Sequence, residues 1–244
     1  MPDSPFNDKY FYTDTYEKVS FAKYSQYWFS NRFYAMLARR YAKTGGRLLE
    51  EGCGLGHLIG QLEADFIAHG MDINPWALKQ AKEGAAFSVF FCASAESLPY
   101  GDGTLQAIIS KHVVEHLHHP DVAIREMGRT IGEGGILILA TPNLASILKP
   151  LKGERWIGYQ DPTHISLHTP QEWRKMLEVA DFKIIRTFSD GFWDVPYIRG
   201  VPAKIQKIIF GSLGGFQALT GLVFLPLRWG ESVIFIARKN EQKP

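Results

Sequence analysis

Cysteine is nearly absent: only Cys53 and Cys92 occur in 244 residues. One lies in a glycine-rich stretch and the other in a predicted strand. That excludes a disulfide-stapled scaffold and predicts reduced thiols in a cytoplasmic protein. An excess of one charge is lacking too. Lys and Arg total 27 against 25 Asp and Glu, a formal net charge of +2, and no basic run forms a phosphate-tracking stripe. Nucleic acid is therefore not an expected partner. Met1 to Tyr16 carries no apolar signal-peptide core. Internal repeats and low-complexity tracts are missing. So is the dinucleotide fingerprint G-x-G-x-x-G: the sixth residue counted from Gly52 is His57, and from Gly54 it is Ile59.

What is present is Arg47-Leu-Leu-Glu-Glu-Gly-Cys-Gly-Leu-Gly56, a short apolar run feeding G-x-G-x-G. Gly70-Met-Asp-Ile-Asn74 follows, placing Asp72 22 residues beyond Glu50. This spacing predicts a strand, a tight loop, a helix and a second parallel strand whose terminal acid can accept from ribose hydroxyls. Without a pyrophosphate cradle, a nucleoside ligand fits better than a dinucleotide. Further strands are expected at 87–92, 107–110 and 135–141, after 47–51 and 66–72. Helices are expected at 56–63, 75–83 and 121–131, with Pro75 near its helix start. Strands alternating with helices make the fold class α/β, a doubly wound parallel sheet. The length suits one such domain with additions, and a hydrophobic fraction of 45% supports a sizeable core.

The flanks break this rhythm. Residues 10–42 are rich in aromatics and look helical from about Phe21, ending at Gly45-Gly46. They can buttress the sheet or cover a ligand mouth. Beyond Thr141 a long connection, 143–168, carries Trp156, Tyr159 and Asp161-Pro-Thr-His-Ile165. Thr169-Pro-Gln-Glu172 reads as a capping box opening a helix. The last strands are expected at 182–188 and 232–237, about forty residues apart, far beyond a hairpin loop. The excess, about 191–229, is an apolar insertion before the last strand. Phe210 to Leu227 holds eighteen residues without a charge, flanked by Lys204, Lys207 and Arg228. Its glycines and Pro226 argue against a membrane span. A helical cover that keeps its apolar face dry is the expectation; a dimer contact, or a peripheral membrane contact through 205–227, is the alternative.

Five segments in order carry a resemblance. Leu48-Leu-Glu-Glu-Gly-Cys-Gly-Leu-Gly56 resembles the first motif of class I S-adenosylmethionine-dependent methyltransferases, and Met71-Asp-Ile-Asn-Pro75 their second acidic site. Ala93-Ser-Ala-Glu-Ser-Leu-Pro99, His112-Val-Val-Glu-His-Leu117 and Gly134-Gly-Ile-Leu-Ile-Leu-Ala-Thr-Pro-Asn143 resemble the later segments. The likeness runs from Arg47 to Phe182 and resumes over 231–239. It implies a Rossmann-like, mostly parallel seven-stranded sheet with an antiparallel last strand, and S-adenosyl-L-methionine as cofactor. It further implies one domain over 1–244: a helical segment or lid at 1–44, a cofactor half at 45–142 and an acceptor half at 143–244.

Carried over residue by residue, Glu50 would face the cofactor's ammonium. Gly52, Cys53 and Gly54 would form the loop, and Asp72 would hold the ribose with Ile73 beside it. Ser94, Ala95 and Glu96 would border adenine, and Lys111 would leave its strand near the thioether. Ser94 stands where many members have an acid, and Leu105-Gln106 replaces a common Phe-Asp pair.

Methyl transfer to a small-molecule acceptor, more at oxygen than at carbon or nitrogen, is the implied activity. His116 and His164 are the candidate bases. Trp156, Tyr159, Phe192, Trp193 and Tyr197 could wall an apolar or aromatic acceptor, or anchor loops. Oligomeric state stays open. One rival is a non-catalytic module keeping the cofactor fold. Another is a zinc hydrolase using His112, Glu115 and His116, since H-x-x-E-H is also a zinc signature. A strand directly before it and Pro120 directly after leave no room for a long helix, so no metal is expected.

Overall fold

The computed structural model describes Tyr10 and residues 19–241; the expectations for the other residues of 1–18 lie outside that range. The chain runs through β1 (Arg47–Glu51), β2 (Ile67–Asp72), β3 (Val89–Cys92), β4 (Leu105–Lys111), β5 (Ile131–Pro142), β6 (Phe182–Asp190) and β7 (Ser232–Lys239). They form one sheet in the order β3-β2-β1-β4-β5-β7-β6. The first five pair in parallel, and β7 is antiparallel to both neighbours. This is the expected doubly wound, Rossmann-like α/β sheet with an antiparallel last strand. The chain reverses its winding between β1 and β4, so the C-terminal ends of those strands border the switch-point crevice where such sheets bind ligands.

Strands β5 and β7 lie in the interior of the sheet, and each carries an unbroken apolar run, Ile136–Ala140 and Val233–Ala237, buried on both faces. In β5, Ile136, Ile138 and Ala140 join the core on one face and Leu137 and Leu139 the other; in β7, Ile234 and Ile236 oppose Val233 and Phe235. Helix α1 (Gln26–Tyr41) seals the first face with Phe33, Tyr34 and Leu37. It starts at Gln26, not near Phe21, because the Ser25 hydroxyl caps it by accepting from Trp28 N–H at 3.1 Å. Helix α2 (Pro75–Gly84) follows β2, and α3 (Pro120–Thr130) follows β4. After β5 come α4 (Leu148–Lys152), α5 (Ile157–Gln160) and α6 (Pro170–Val179), the last opened by the expected Thr169–Glu172 capping box.

Two expectations fail. The helix expected over 56–63 is only a 3-10 turn, Ile59–Gln61. Gly56 is left-handed and pressed against Ala81, and Gly60 packs against the Gly84 carbonyl, so two glycines four residues apart replace the first turn of a helix. The insertion does form a helix, α7 (Ala203–Thr220), but not a dry cover. Apart from Phe210 and Ala218, its larger apolar side chains face outward, with Ile208 73% and Leu219 57% exposed. No helix among the described residues is long and apolar enough to cross a membrane.

Candidate active site

The glycine loop leaves β1 at the switch point with Gly52, Gly54 and Gly56 at φ of 66°, 49° and 78°. A Cβ on Gly52 would lie 2.4 Å from Val113 Cγ2, so only glycine fits both the backbone and the space. Asp72 ties the loop to the end of β2: its Oδ2 accepts from Gly54 N–H and its Oδ1 from Asn74 N–H, each at 2.8 Å. Capping of α2 falls to Asn74, whose Oδ1 accepts from Trp76 N–H at 2.9 Å, so Asp72 is not the N-cap. Burial holds the Asp72 carboxyl above its usual range despite these amides. Cys53 is buried, its N–H donating to Met71 O at 2.9 Å and its thiol pushed up by burial.

Glu50 is buried, with Oε2 lacking a hydrogen-bond partner among the described residues. Burial pushes its carboxyl up to about 8, against the pull of Lys111. Glu51 is also pushed up to about 8 by burial, with Ser110 beside it; nothing in the structure explains a glutamate there. Lys111 ends β4 and donates to Ser30 Oγ at 3.2 Å and Asn31 Oδ1 at 2.6 Å. Its ammonium sits 4.9 Å from the Tyr34 ring centre. Burial lowers it to about 8, opposed by Asp190 and Glu50. Asp190 ends β6 and accepts from Tyr34 O–H at 2.9 Å. Glu50, Lys111 and Asp190 thus form a buried cluster of ionisable groups under α1.

Sequence reading missed Ser30, Asn31, Tyr34 and Asp190. The available signal was a polar patch, Ser30, Asn31 and Tyr34, on a helix otherwise buried by apolar residues. Just before α1, Phe21 stacks on His57 at 4.9 Å and 11°, and Tyr27 in the first turn of α1 is edge-on to the same ring, so the start of α1 lies over the glycine loop. Ser94 Oγ accepts from Glu96 N–H at 3.2 Å in a tight turn, with Ala95 buried; Ile73 is 43% exposed.

The histidines are not arranged as in a zinc helix. Val114–His116 is a 3-10 turn, and His112 is left-handed at φ 56°. His112 Nδ1 meets Glu115 Oε1 at 2.9 Å, and its Nε2 meets Ser232 Oγ at 3.1 Å. His112 is thus paired with Glu115 and Ser232 and shares no helical face with His116, so the structure does not assemble the three-residue set of the hydrolase alternative.

The structure instead brings together two residues 48 positions apart: the rings of His116 and His164 lie 4.7 Å apart, centre to centre. Each directs Nδ1 at a backbone carbonyl, His116 at Thr163 O (3.2 Å) and His164 at Gly158 O (2.8 Å). A carbonyl only accepts, so Nδ1 carries the proton in each ring and Nε2 is the basic atom. Glu115 is fully buried, with Oε2 lacking a partner among the described residues. Burial raises its carboxyl, but the His112 hydrogen bond and the nearby histidine charges outweigh that and leave it below its ordinary value. Burial lowers His116, with Glu115 opposing. Glu115, His116 and His164 offer ligand atoms within 4.8 Å of one another, a group able to hold a metal ion. No metal is expected from the sequence; this group keeps Glu115 and His116 of the rival hydrolase set and has His164 in place of His112.

The five aromatics fall into two groups. Trp156 is fully buried, pairs edge-on with Tyr159 at 4.9 Å and packs on Gly158. Phe192 and Tyr197 join Phe210 in a small separate core. Trp193 and Asp194 N–H donate to Glu231 Oε2 at 3.2 and 3.1 Å, and Tyr197 O–H donates to its other oxygen. Burial pushes Glu231 up to about 8.

Over this geometry, a methyltransferase-domain family matches residues 22–187. The chain belongs to the S-adenosylmethionine-dependent methyltransferases. It is 31% identical over 105 residues to ajmaline N-methyltransferase of Rauvolfia serpentina, covering 40% of this chain and 36% of that one. It is 29% identical over 154 residues to a ubiquinone biosynthesis O-methyltransferase of Mesorhizobium japonicum, covering 58% and 61%. The matched stretch thus spans less than two thirds of either methyltransferase's own length. A solved methyltransferase from Archaeoglobus fulgidus superposes with a TM-score of 0.58 at 19% identity, covering 86% of this chain and 94% of that one, and shares the fold. In methyltransferases of this fold the cofactor is S-adenosyl-L-methionine.

Proposed function

We propose that the protein transfers a methyl group from S-adenosylmethionine to an oxygen of a small-molecule acceptor, with His116 and His164 handling the acceptor's proton. In this reading 45–142 holds the cofactor and 143–244 the acceptor. The residues fit the cofactor. The buried Oε2 of Glu50, without a hydrogen-bond partner among the described residues, suits an ammonium. Bound there, the cofactor supplies a methyl group already activated on a sulfonium. Everything else falls to the chain. Glu50 accepts from the ammonium. Asp72 accepts from the ribose hydroxyls while keeping Gly54 N–H in place. Ile73 and Ala95 border adenine, with Ser94 and Glu96 supplying its polar partners. Lys111, held by Ser30 and Asn31, fixes the end of β4 against α1.

The observation that carries the reading is the His116–His164 pair over buried Glu115. Burial keeps His116 neutral at pH 7, the state that takes a hydroxyl proton at Nε2, and the Glu115 carboxylate stabilises the imidazolium that results. The O-methyltransferase among the relatives supports an oxygen acceptor. A panel of phenols, alcohols, carboxylic acids and amines, read by S-adenosylhomocysteine formation, tests this. Turnover on hydroxylated compounds is expected; methylation of amines alone would reject it.

A further inference from the structure

Helix α7 is built inside out. Gln206 and Gln217 face inward, each 1% exposed, alongside Gly214 and Ala218. The Gln206 amide is saturated by backbone: Oε1 accepts from Tyr197 and Ile198 N–H at 2.7 and 2.9 Å, and Nε2 donates to Ile198 O and Val201 O. Gly214 lets the helix press on Trp193, and Gly221 just beyond it meets Met36 of α1. The inner face is therefore committed to the protein.

The outer face is apolar. Ile205, Ile208, Ile209, Phe216 and Leu219 are 49%, 73%, 54%, 53% and 57% exposed. With Leu213 between Ile209 and Phe216, also exposed, they recur at three- and four-residue steps, a single stripe along the helix. Phe224, 41% exposed, extends it by lying 6.0 Å from the Phe216 ring. Charge along this segment has one sign. Between Asp194 and Glu231 there is no acidic residue, while Arg199, Lys204, Lys207 and Arg228 are all exposed. Two copies meeting through this face would bring like charges together. Anionic headgroups would neutralise them, and the acyl boundary would take the isoleucines and phenylalanines. The helix also packs on Trp193, three residues past the Asp190 end of β6, so it lies toward the end of the sheet that holds the site.

We propose that the outer face of α7 lies in the plane of an anionic lipid bilayer, its apolar stripe at the headgroup–acyl boundary and its flanking cations on the headgroups. This goes beyond the methyl-transfer reading and does not depend on it. The test is co-sedimentation of the full chain with vesicles of phosphatidylcholine alone or mixed with phosphatidylglycerol, at low and high salt. Binding is expected on the mixed vesicles, weakening as salt screens the headgroups. Lys204→Glu with Lys207→Glu should lower partitioning by roughly tenfold or more, and Ile208→Glu with Phe216→Glu by a similar factor or more. All four positions are exposed, so S-adenosylmethionine affinity should be unchanged in both variants and reports that they fold. Absence of binding by the wild-type protein, or equal binding by either folded variant, overturns the proposal. So does a concentration-dependent dimer in sedimentation velocity that Ile208→Glu abolishes.

Discussion

Binding of S-adenosylmethionine should expel a proton, and the source should be Glu50. With its carboxyl pushed up to about 8, Glu50 is roughly 90% protonated in the free protein at pH 7. An ammonium arriving beside it favours the carboxylate. Up to about 0.9 proton per site should then be released at pH 7. Lys111, also near 8, keeps its proton because the newly ionised Glu50 attracts it more strongly. Titration calorimetry at pH 7 in buffers of different ionisation enthalpy reads this number directly as the slope of observed heat against buffer enthalpy. In Glu50→Gln, which keeps the shape and loses the charge, the slope should fall near zero. Affinity should weaken by about 1.5–3 kcal/mol, the worth of one charged hydrogen bond, or roughly ten- to 150-fold. A wild-type slope of zero, or the same slope in Glu50→Gln, would refute the placement of the ammonium at Glu50.

Other outcomes follow from the same geometry. Glu50, Glu51 and Glu231 are each raised from 4.5 to about 8, so their stabilising contribution is complete below pH 4.5 and is lost as pH rises through about 8. The melting temperature of the cofactor-free protein should accordingly fall from pH 5 to pH 8.5; a flat or rising profile would contradict these burials. His116→Ala and His164→Ala should each lower turnover on a hydroxylated acceptor by about 10²–10⁴-fold. Because burial lowers His116, the wild-type rate should rise with pH through a midpoint below the ordinary imidazole value; full turnover in both variants would remove the pair from the mechanism. Gly52→Ala should destabilise the fold by about 2–4 kcal/mol, combining left-handed strain with crowding against Val113. Unchanged thermal unfolding in that variant would show that the loop has room to spare.

Much of this architecture was legible in the sequence because buried parallel strands announce themselves. The run at 135–141 carries apolar residues on both faces, and the G-x-G-x-G turn after 47–51 sits where a strand must hand over to a ligand loop. The 56–63 stretch misled because its apolar spacing suits a helix, while Gly56 and Gly60 are there to pack against α2. Composition said that the insertion is apolar but not which way it faces. That depends on Gln206 finding four backbone partners around residues 197–201, a pairing no periodicity encodes. His116 and His164 each looked like a candidate alone. Their contact depends on Thr163 docking its hydroxyl 2.9 Å from His116, a tertiary event between segments 47 residues apart. The Lys111–Asp190 proximity likewise needed the strand directions: β5 and β6 both run antiparallel to β7, so β6 ends on the same side of the sheet as β4.

The most direct measurement is equilibrium binding of S-adenosylmethionine to the wild-type protein and to Asp72→Ala. Asp72 holds the glycine loop through Gly54 and faces the crevice where the ribose is assigned. The wild-type protein should bind, and Asp72→Ala should lose about 2–4 kcal/mol, two charge-assisted hydrogen bonds, or roughly 30- to 1,000-fold in affinity. No binding by the wild-type protein, or equal affinity in a folded Asp72→Ala variant, would contradict the assignment of this site.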